Sequence, residues 1–280
     1  MPLLARQYLH NLKFMPYALF RRQGYSLRWR RSCGMLFPDL SPIMSSGLVL
    51  SDLHLFSIRS SGECHLISIR ERLEQADHIV FNGDTFDFRW SQYPTEEQSV
   101  AAALDWLRDF VDRHPRSTVH FVIGNHDCLH AFTSRLDDLA DNLERFHWHD
   151  TVLQLGPNLF THGDCTHQLM DRHGLNRYRE VWKNDRPRHP LLGRAYLVAD
   201  RLGLTTLAHR GHFTREKTLE RLSAFLDDSV PDWRPITRDC YFGHTHLSFH
   251  DHVHEGRRYH NTGSAIKGST FAPKAFEWGR

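Results

Sequence analysis

"HIVFNGDTFDF", residues 78–88, begins as an apolar, β-branched run and stops abruptly at Asn-Gly-Asp. Short apolar runs bounded by Gly, Asn and Asp read as buried strands that end in turns. The same pattern recurs in "GLVLSDLHL" (47–55), "TVHFVIGNHD" (118–127), "NLFTHGD" (158–164) and "CYFGHTH" (240–246), and more weakly in "RRYHNTGS" (257–264). Between these runs lie helical patterns. "HLISIRERLEQA" (65–76) predicts one helix with Leu66, Ile69, Leu73 and Ala76 on a face. "EEQSVAAALDWLRDFVDRH" (96–114) predicts another, with Val100, Leu104, Leu107 and Val111 aligned. Strand–helix alternation predicts a layered α/β fold. Ligands of such folds sit outside the carboxyl ends of the strands, where every polar cluster quoted above falls.

Composition is that of an ordinary globular protein: 40% hydrophobic and 24% charged over 280 residues. The five cysteines form no CxxC pair, which argues against a disulfide framework and for a reducing compartment. No apolar stretch approaches the ~20 residues needed to cross a bilayer, so the expected location is cytoplasmic. The net charge of +2 hides an asymmetry, because residues 1–45 hold seven Lys/Arg and one acid, Asp39. This segment reads as a basic extension able to touch an anionic membrane surface. An organelle-targeting peptide, or a mis-assigned start with translation beginning at Met44, are the other readings. Residues 165–238 form a polar helical stretch with Leu219, Leu222 and Leu226 on one face. It carries 13 Lys/Arg between 165 and 235, beside Tyr178, Trp182 and Tyr196. An insertion placed between ligand-bearing strand ends is positioned to be a lid.

Residues two apart in extended chain point the same way, so Asp52 with His54, and His244 with His246, project as pairs. Adding Asp84, Asn125 and His162 gives seven oxygen and nitrogen donors from five strand ends. Such donors suit manganese, iron or zinc. Two ions with four protein ligands each require one shared carboxylate, and Asp84 in its tight turn is the natural bridge. Taken singly, Asp84 also reads as a helix N-cap, Asn125 as a turn residue and His162 as a core histidine. Their joint occurrence in order favours the metal reading. Among the 22 histidines, His10, His114, His147, His189 and His209 fall outside this pattern and read as surface or structural.

The series DxH, GDxxD, GNHD, HGD and GHTH resembles the signature of the calcineurin-like metallophosphoesterases, over residues 48–264. The resemblance implies a four-layer α/β sandwich, two packed mixed sheets flanked by helices, with residues 46–280 as the domain and 165–238 as a helical cap. It implies two divalent ions, with manganese first and iron or zinc as alternatives. One would take Asp52, His54, Asp84 and His246, the other Asp84, Asn125, His162 and His244. Such a pair lowers the pKa of a bridging water, so that hydroxide attacks phosphorus. His126 would protonate the leaving oxygen, Asp87 resembles the aspartate that orients it, and Asp164 is a neighbour able to fix a ligand ring. The substrate class is a small phosphoester or a nucleotide-linked molecule, with no residue assigned to its binding.

Within the family, "NGDTFDFRW", the helical insertion and "YHNTGS" resemble the branch containing UDP-2,3-diacylglucosamine pyrophosphatase, which acts in lipid A synthesis. That enzyme typically reads GNRD where this chain reads GNHD, and a histidine acid suits phosphomonoesters or diesters better than a pyrophosphate. A nuclease would use a basic groove with stacking aromatics, but residues 46–280 carry a net negative balance, which argues against nucleic acid as partner. An inactive scaffold would be expected to lack ligand histidines, and none is missing.

Overall fold

The computed structural model describes residues 28–32, 35–39, 44–185, 187–188, 190–202, 204 and 211–279. Residues 1–45 with 279–280 form one compact unit and residues 46–278 a second. Most of the basic extension therefore lies outside the described residues. Within the first unit, β1 (Arg28–Ser32) and β2 (Met35–Asp39) form an antiparallel pair.

The second unit is built on two five-stranded sheets. The first has the order β12-β3-β4-β5-β6 and the second β10-β11-β9-β8-β7. In the first, β3 (Met44–Leu50), β4 (His78–Asn82), β5 (Thr118–Val122) and β6 (Phe146–His149) run parallel, with β12 (Lys274–Gly279) beside β3. In the second, β8 (Asn158–Thr161), β9 (Asp239–Phe242) and β11 (Arg257–Asn261) are parallel. Their antiparallel flanks are β7 (Val152–Leu155) and β10 (Phe249–His254).

Alternation along the strands sets the layers. Leu48, Leu50, Ile79, Phe81, Val119 and Phe121 pack against helices on one side. Val49, Val80 and Val122, pointing the other way, meet Leu153, Phe160 and Tyr241 of the second sheet. The outward residues of that sheet, among them Leu159, Cys240, Phe242 and Tyr259, pack under helices of their own. This is the four-layer sandwich expected from the sequence.

On the first outer layer, α3 (Glu96–Arg113) begins where Thr95 accepts a hydrogen bond from the Gln98 amide, and it buries Val100, Ala103, Leu104, Leu107, Phe110 and Val111. The single helix expected over 65–76 is two: α1 (Gly62–Ser68) and α2 (Arg70–Gln75). The break lies at Ile69, whose carbonyl accepts from both Arg72 N and Leu73 N, so the turn tightens there. Two short helices, α4 (His130–Thr133) and α5 (Leu136–Asn142), complete this side.

The 165–238 stretch is helical: α6 (Arg172–Lys183), α7 (Pro190–Arg201), α8 (Arg215–Ser229) and α9 (Trp233–Ile236). α8 is not a lid, because Leu219, Leu222, Phe225 and Leu226 are fully buried against the second sheet and form its outer layer. The four described cysteines, Cys64, Cys128, Cys165 and Cys240, are free thiols. Among the described residues no helix is long and apolar enough to cross a membrane.

The carboxyl ends of the two sheets are joined through Asn82, the last residue of β4. Its amide donates to Thr161 O at 2.9 Å and Tyr241 O at 3.1 Å, both in the second sheet. The side chain is fully buried. Asn82→Leu keeps the volume and strands both carbonyls, at a cost on the order of 1–3 kcal/mol each. A fall in the urea midpoint larger than that of Asn142→Leu on exposed α5 is the expected result.

Candidate metal centre

Sequence reading placed seven donors at five strand ends, and the structure brings all seven into one buried cluster. After β3, Asp52 Oδ1 lies 3.3 Å from His246 Nε2 and 4.0 Å from His54 Nε2. The two imidazole nitrogens are 3.4 Å apart. After β4 and β8, His162 Nε2 lies 3.3 Å from Asp84 Oδ1 and 3.3 Å from Asn125 Oδ1. Asp84, His162 and His244 form the second donor group, as Asp52, His54 and His246 form the first. Asp84 stands between them: its Oδ1 faces His162, and its Oδ2 is 3.9 Å from His54 Nε2.

Local backbone geometry makes these approaches possible. Asp52, His54, Asp84, His244 and His246 all have positive φ, between 49° and 62°. Non-glycine residues rarely adopt that region, and strain of this kind gathers at functional sites. Two glycines allow the loops to close. A Cβ on Gly124 would lie 2.3 Å from Asp84 Oδ1, and one on Gly243 2.1 Å from Asp52 Oδ2. The Gly of GNHD and the Gly of GHTH are thus required by close packing against carboxylates.

The carboxylates are held from behind. Asp52 accepts from the Ser51 hydroxyl and from the His244 amide. Asp84 Oδ1 accepts from the His126 amide at 2.8 Å. The His162 Nδ1–H donates towards Asn82 O at 3.3 Å, which leaves Nε2 for a metal. Asp164 does not fix a ligand ring. Its two oxygens instead accept from Arg179 Nε and Nη2, at 2.6 and 3.1 Å. Sequence reasoning missed Arg179. It is buried on α6, and it also donates to Ile123 O and Asp150 O, so one guanidinium ties the loops after β5, β6 and β8 together. Only its place in an amphipathic helix beside Tyr178 and Trp182 hinted at an inward position.

Electrostatics supply the test of fit. Burial works against the charge on Asp84, yet His162, His126 and His54 hold its pKa well below the ordinary carboxylate value. Burial likewise opposes the charge on His162, but Asp84 and its neighbours push its pKa up to about 10. His244 differs, since burial first and His162 second hold it well below the usual imidazole value. Its Nε2 is buried with no hydrogen-bond partner. An orphaned neutral imidazole nitrogen among carboxylates is a metal ligand in waiting, and the oxygen–nitrogen donor set fits divalent manganese, iron or zinc.

Residues 48–248 match the family model described as calcineurin-like phosphoesterase. The chain belongs to that family. This calcineurin-like phosphoesterase is a metal-dependent phosphoric-ester hydrolase. It is similar to a phosphopantetheinyl hydrolase of Mycobacterium tuberculosis, at 13% identity, 79% of this chain and 90% of the other, with a TM-score of 0.37. It is similar also to a dimetal phosphatase of Danio rerio, at 13% identity, 81% and 89% coverage, with a TM-score of 0.42. A nuclease of Pseudomonas putida matches at 23% identity over 41% of this chain and 53% of its own, with a TM-score of 0.29. Among curated proteins none matches.

Of the histidines set aside on sequence, His114 is buried with Nδ1 donating to Phe110 O at 2.7 Å, and His147 is exposed. His10, His189 and His209 lie outside the described residues.

Asp84→Ala is expected to lose both ions, whereas His246→Ala loses one; metal counting by mass spectrometry after dialysis reads the difference. Retention of two ions without Asp84 removes it from the bridge. With its pKa at about 10, His162 is protonated at pH 7 in the metal-free protein. A metal takes only the neutral ring, so binding at pH 7 releases at least about one proton. Calorimetry in buffers of differing ionisation enthalpy measures it, and release should shrink as the pH is raised towards 10.

Proposed function

We propose that this phosphoesterase hydrolyses a phosphate monoester or diester with a poor, alkoxide-type leaving group, and that His126 supplies the proton that group needs. The carrying observation is the pairing of His126 with Asp87. The His126 Nδ1–H donates to Asp87 Oδ1 at 2.8 Å, beside the metal donors. That bond fixes the tautomer, and the ring lines a cavity of about 350 Å³ together with His54, Asp84, Asn125, His244 and His246. Burial opposes protonation of His126, but the Asp87 and Asp84 carboxylates outweigh it and raise its pKa above the ordinary imidazole value. A proton is thus held on the ring near neutral pH, and Nε2, not engaged by Asp87, is the nitrogen that delivers it.

Asp87 acts on two rings. Its second oxygen lies 3.4 Å from His54 Nδ1 without forming a hydrogen bond, so one buried carboxylate faces both the proposed acid and a candidate metal ligand. Asp127 plays a different part. Buried beneath the site, it accepts from the Thr85, Phe86 and Gly124 amides and ties two loops together. Two divalent cations, when bound, supply an activated water nucleophile and neutralise charge on the phosphoryl oxygens. The residues around them exclude bulk water and aim the phosphate, the setting in which fixed charges stabilise a transition state most strongly.

A second reading is favoured by the cavity mouth, where arginines lie on aromatic rings. Arg89 Cζ stands 3.7 Å above the Trp182 ring and Arg59 Cζ 4.4 Å above Tyr196. Trp90 packs against Tyr196 with centroids 5.2 Å apart. Flat rings edged by guanidinium groups suit a substrate bearing a base or other planar group beside its phosphates. A nucleotide-linked substrate such as UDP-2,3-diacylglucosamine has that chemistry.

A substrate panel assayed with added Mn²⁺ tests both readings: an alkyl phosphate, a nitrophenyl phosphate, bis-nitrophenyl phosphate and UDP-2,3-diacylglucosamine. His126→Ala should keep metal stoichiometry and lose ~10²–10⁴-fold in kcat on the alkyl ester, with a much smaller loss on nitrophenyl esters. Equal losses on both would remove the acid role from His126.

A further inference from the structure

Outside the phosphoesterase site, a second group of nitrogen and oxygen donors sits where β10 meets β11. Phe249 pairs with Asn261 and His252 with Tyr259, so two residues, His250 and Asp251, stand opposite the single residue His260. This is a β-bulge, a device that re-aims side chains and recurs beside functional sites. Asp251 takes positive φ (53°) to accommodate it. His250, Asp251 and His260 consequently converge on one space.

The hydrogen bonds fix which atoms face that space. Asp239, buried on β9, accepts from Arg258 Nε and Nη2 and from Arg238 Nε, at 2.6, 2.8 and 2.8 Å. Two arginines keep it ionised, so it can only accept. His260 Nε2, 3.0 Å from Asp239 Oδ1, therefore carries the proton, and His260 Nδ1 carries the lone pair. His250 Nε2 lies 3.1 Å from Asp251 Oδ2. His260 Nδ1 accepts from the Asp251 amide at 3.2 Å and lies 2.8 Å from His250 Nδ1.

We propose that His250, Asp251 and His260 form a separate binding site for a dication of the zinc, nickel or copper class. Imidazole nitrogens with one carboxylate are the donors these ions favour. Bonds of about 2.0–2.1 Å to two nitrogens place those nitrogens roughly 3.3 Å apart in a tetrahedral site, a small opening from 2.8 Å. Asp239–His260 is then the carboxylate–histidine arrangement that orients a ligating ring and raises its basicity. His260 and Asp239 form the buried floor, while the His250 and Asp251 side chains are half exposed and leave the fourth position to water. Asp251 must leave its 3.1 Å pairing with His250 Nε2 and a 4.0 Å approach to Arg258 to take its place.

The site is coupled to the phosphoesterase loops through one residue. Asn261 follows His260, and its amide donates to Gly243 O at 2.9 Å and Thr245 Oγ1 at 3.1 Å, within the loop that carries His244 and His246. An ion clipping β10 to β11 stiffens the strand on which that loop rests. Its role is structural or modulatory, and no step of ester hydrolysis needs it.

Zinc is the probe. Protein dialysed against a low-micromolar zinc buffer should bind one equivalent more than either His250→Ala or Asp251→Asn, both at exposed positions that leave the fold intact by circular dichroism. In Asp84→Ala protein, emptied at the phosphoesterase site, one zinc should remain, and adding His250→Ala should remove it. The Tm gain on zinc addition to Asp84→Ala protein should vanish in that double variant. Equal zinc content with and without His250 overturns the site, whatever the count at Asp84 shows about the phosphoesterase centre.

Discussion

Three carboxylates without water dominate this structure. Asp52, Asp84 and Asp87 are each at most 1% exposed, and each has an oxygen within 4.0 Å of a His54 ring nitrogen. Burying even one ionised carboxylate is costly unless it is paired and hydrogen-bonded. Here the compensation comes from the rings of His54, His126, His162 and His246, from the amides of His126 and His244, and from the Ser51 hydroxyl. Three of those rings, His54, His162 and His246, also belong to the donor groups able to hold cations. A replacement that removes one imidazole therefore leaves an uncompensated charge as well as a missing ligand.

That compensation works only if five chain segments end at one point. The two sheets supply the alignment, because β3, β4, β5, β8 and β9 all present their carboxyl ends to the same region. Asn82 locks the alignment by reaching from one sheet to carbonyls of the other, and Arg179 does the same for the loops after β5, β6 and β8. Neither residue lines the cavity. Both fix distances on which metal coordination depends at the level of a few tenths of an ångström. Backbone strain is concentrated in the same loops, with five of the seven candidate donors in left-handed conformations that the surrounding hydrogen bonds hold in place.

The outer wall of the cavity differs in character. Trp182 packs on His126 with centroids 4.6 Å apart and under Arg89, which is itself ion-paired to Asp185. The wall is aromatic and cationic, whereas the floor is carboxylate and imidazole. Trp182 of α6 and Tyr196 of α7 belong to that wall, and the donors lie beneath it. α8 lies in the same stretch of chain but belongs to the core, held by its leucines under the second sheet.

Sequence by itself determined the strand ends and what they carry. Apolar runs that stop at Asp, Asn, Gly and His are local features, and a period of two places Asp52 with His54 and His244 with His246 before any fold is known. The α3 helix was equally legible, from the spacing of Val100, Leu104, Leu107 and Val111. What sequence left open were relations across space. The split at Ile69, the bulge opposite His260 and the burial of α8 depend on partners distant in the chain, as do the guanidinium of Arg179 and the amide of Asn82. Only the tertiary structure decided that Asp164 serves Arg179 and that Asp87, expected beside His126, also faces His54. A side chain's partner is chosen by packing geometry, which local pattern does not encode.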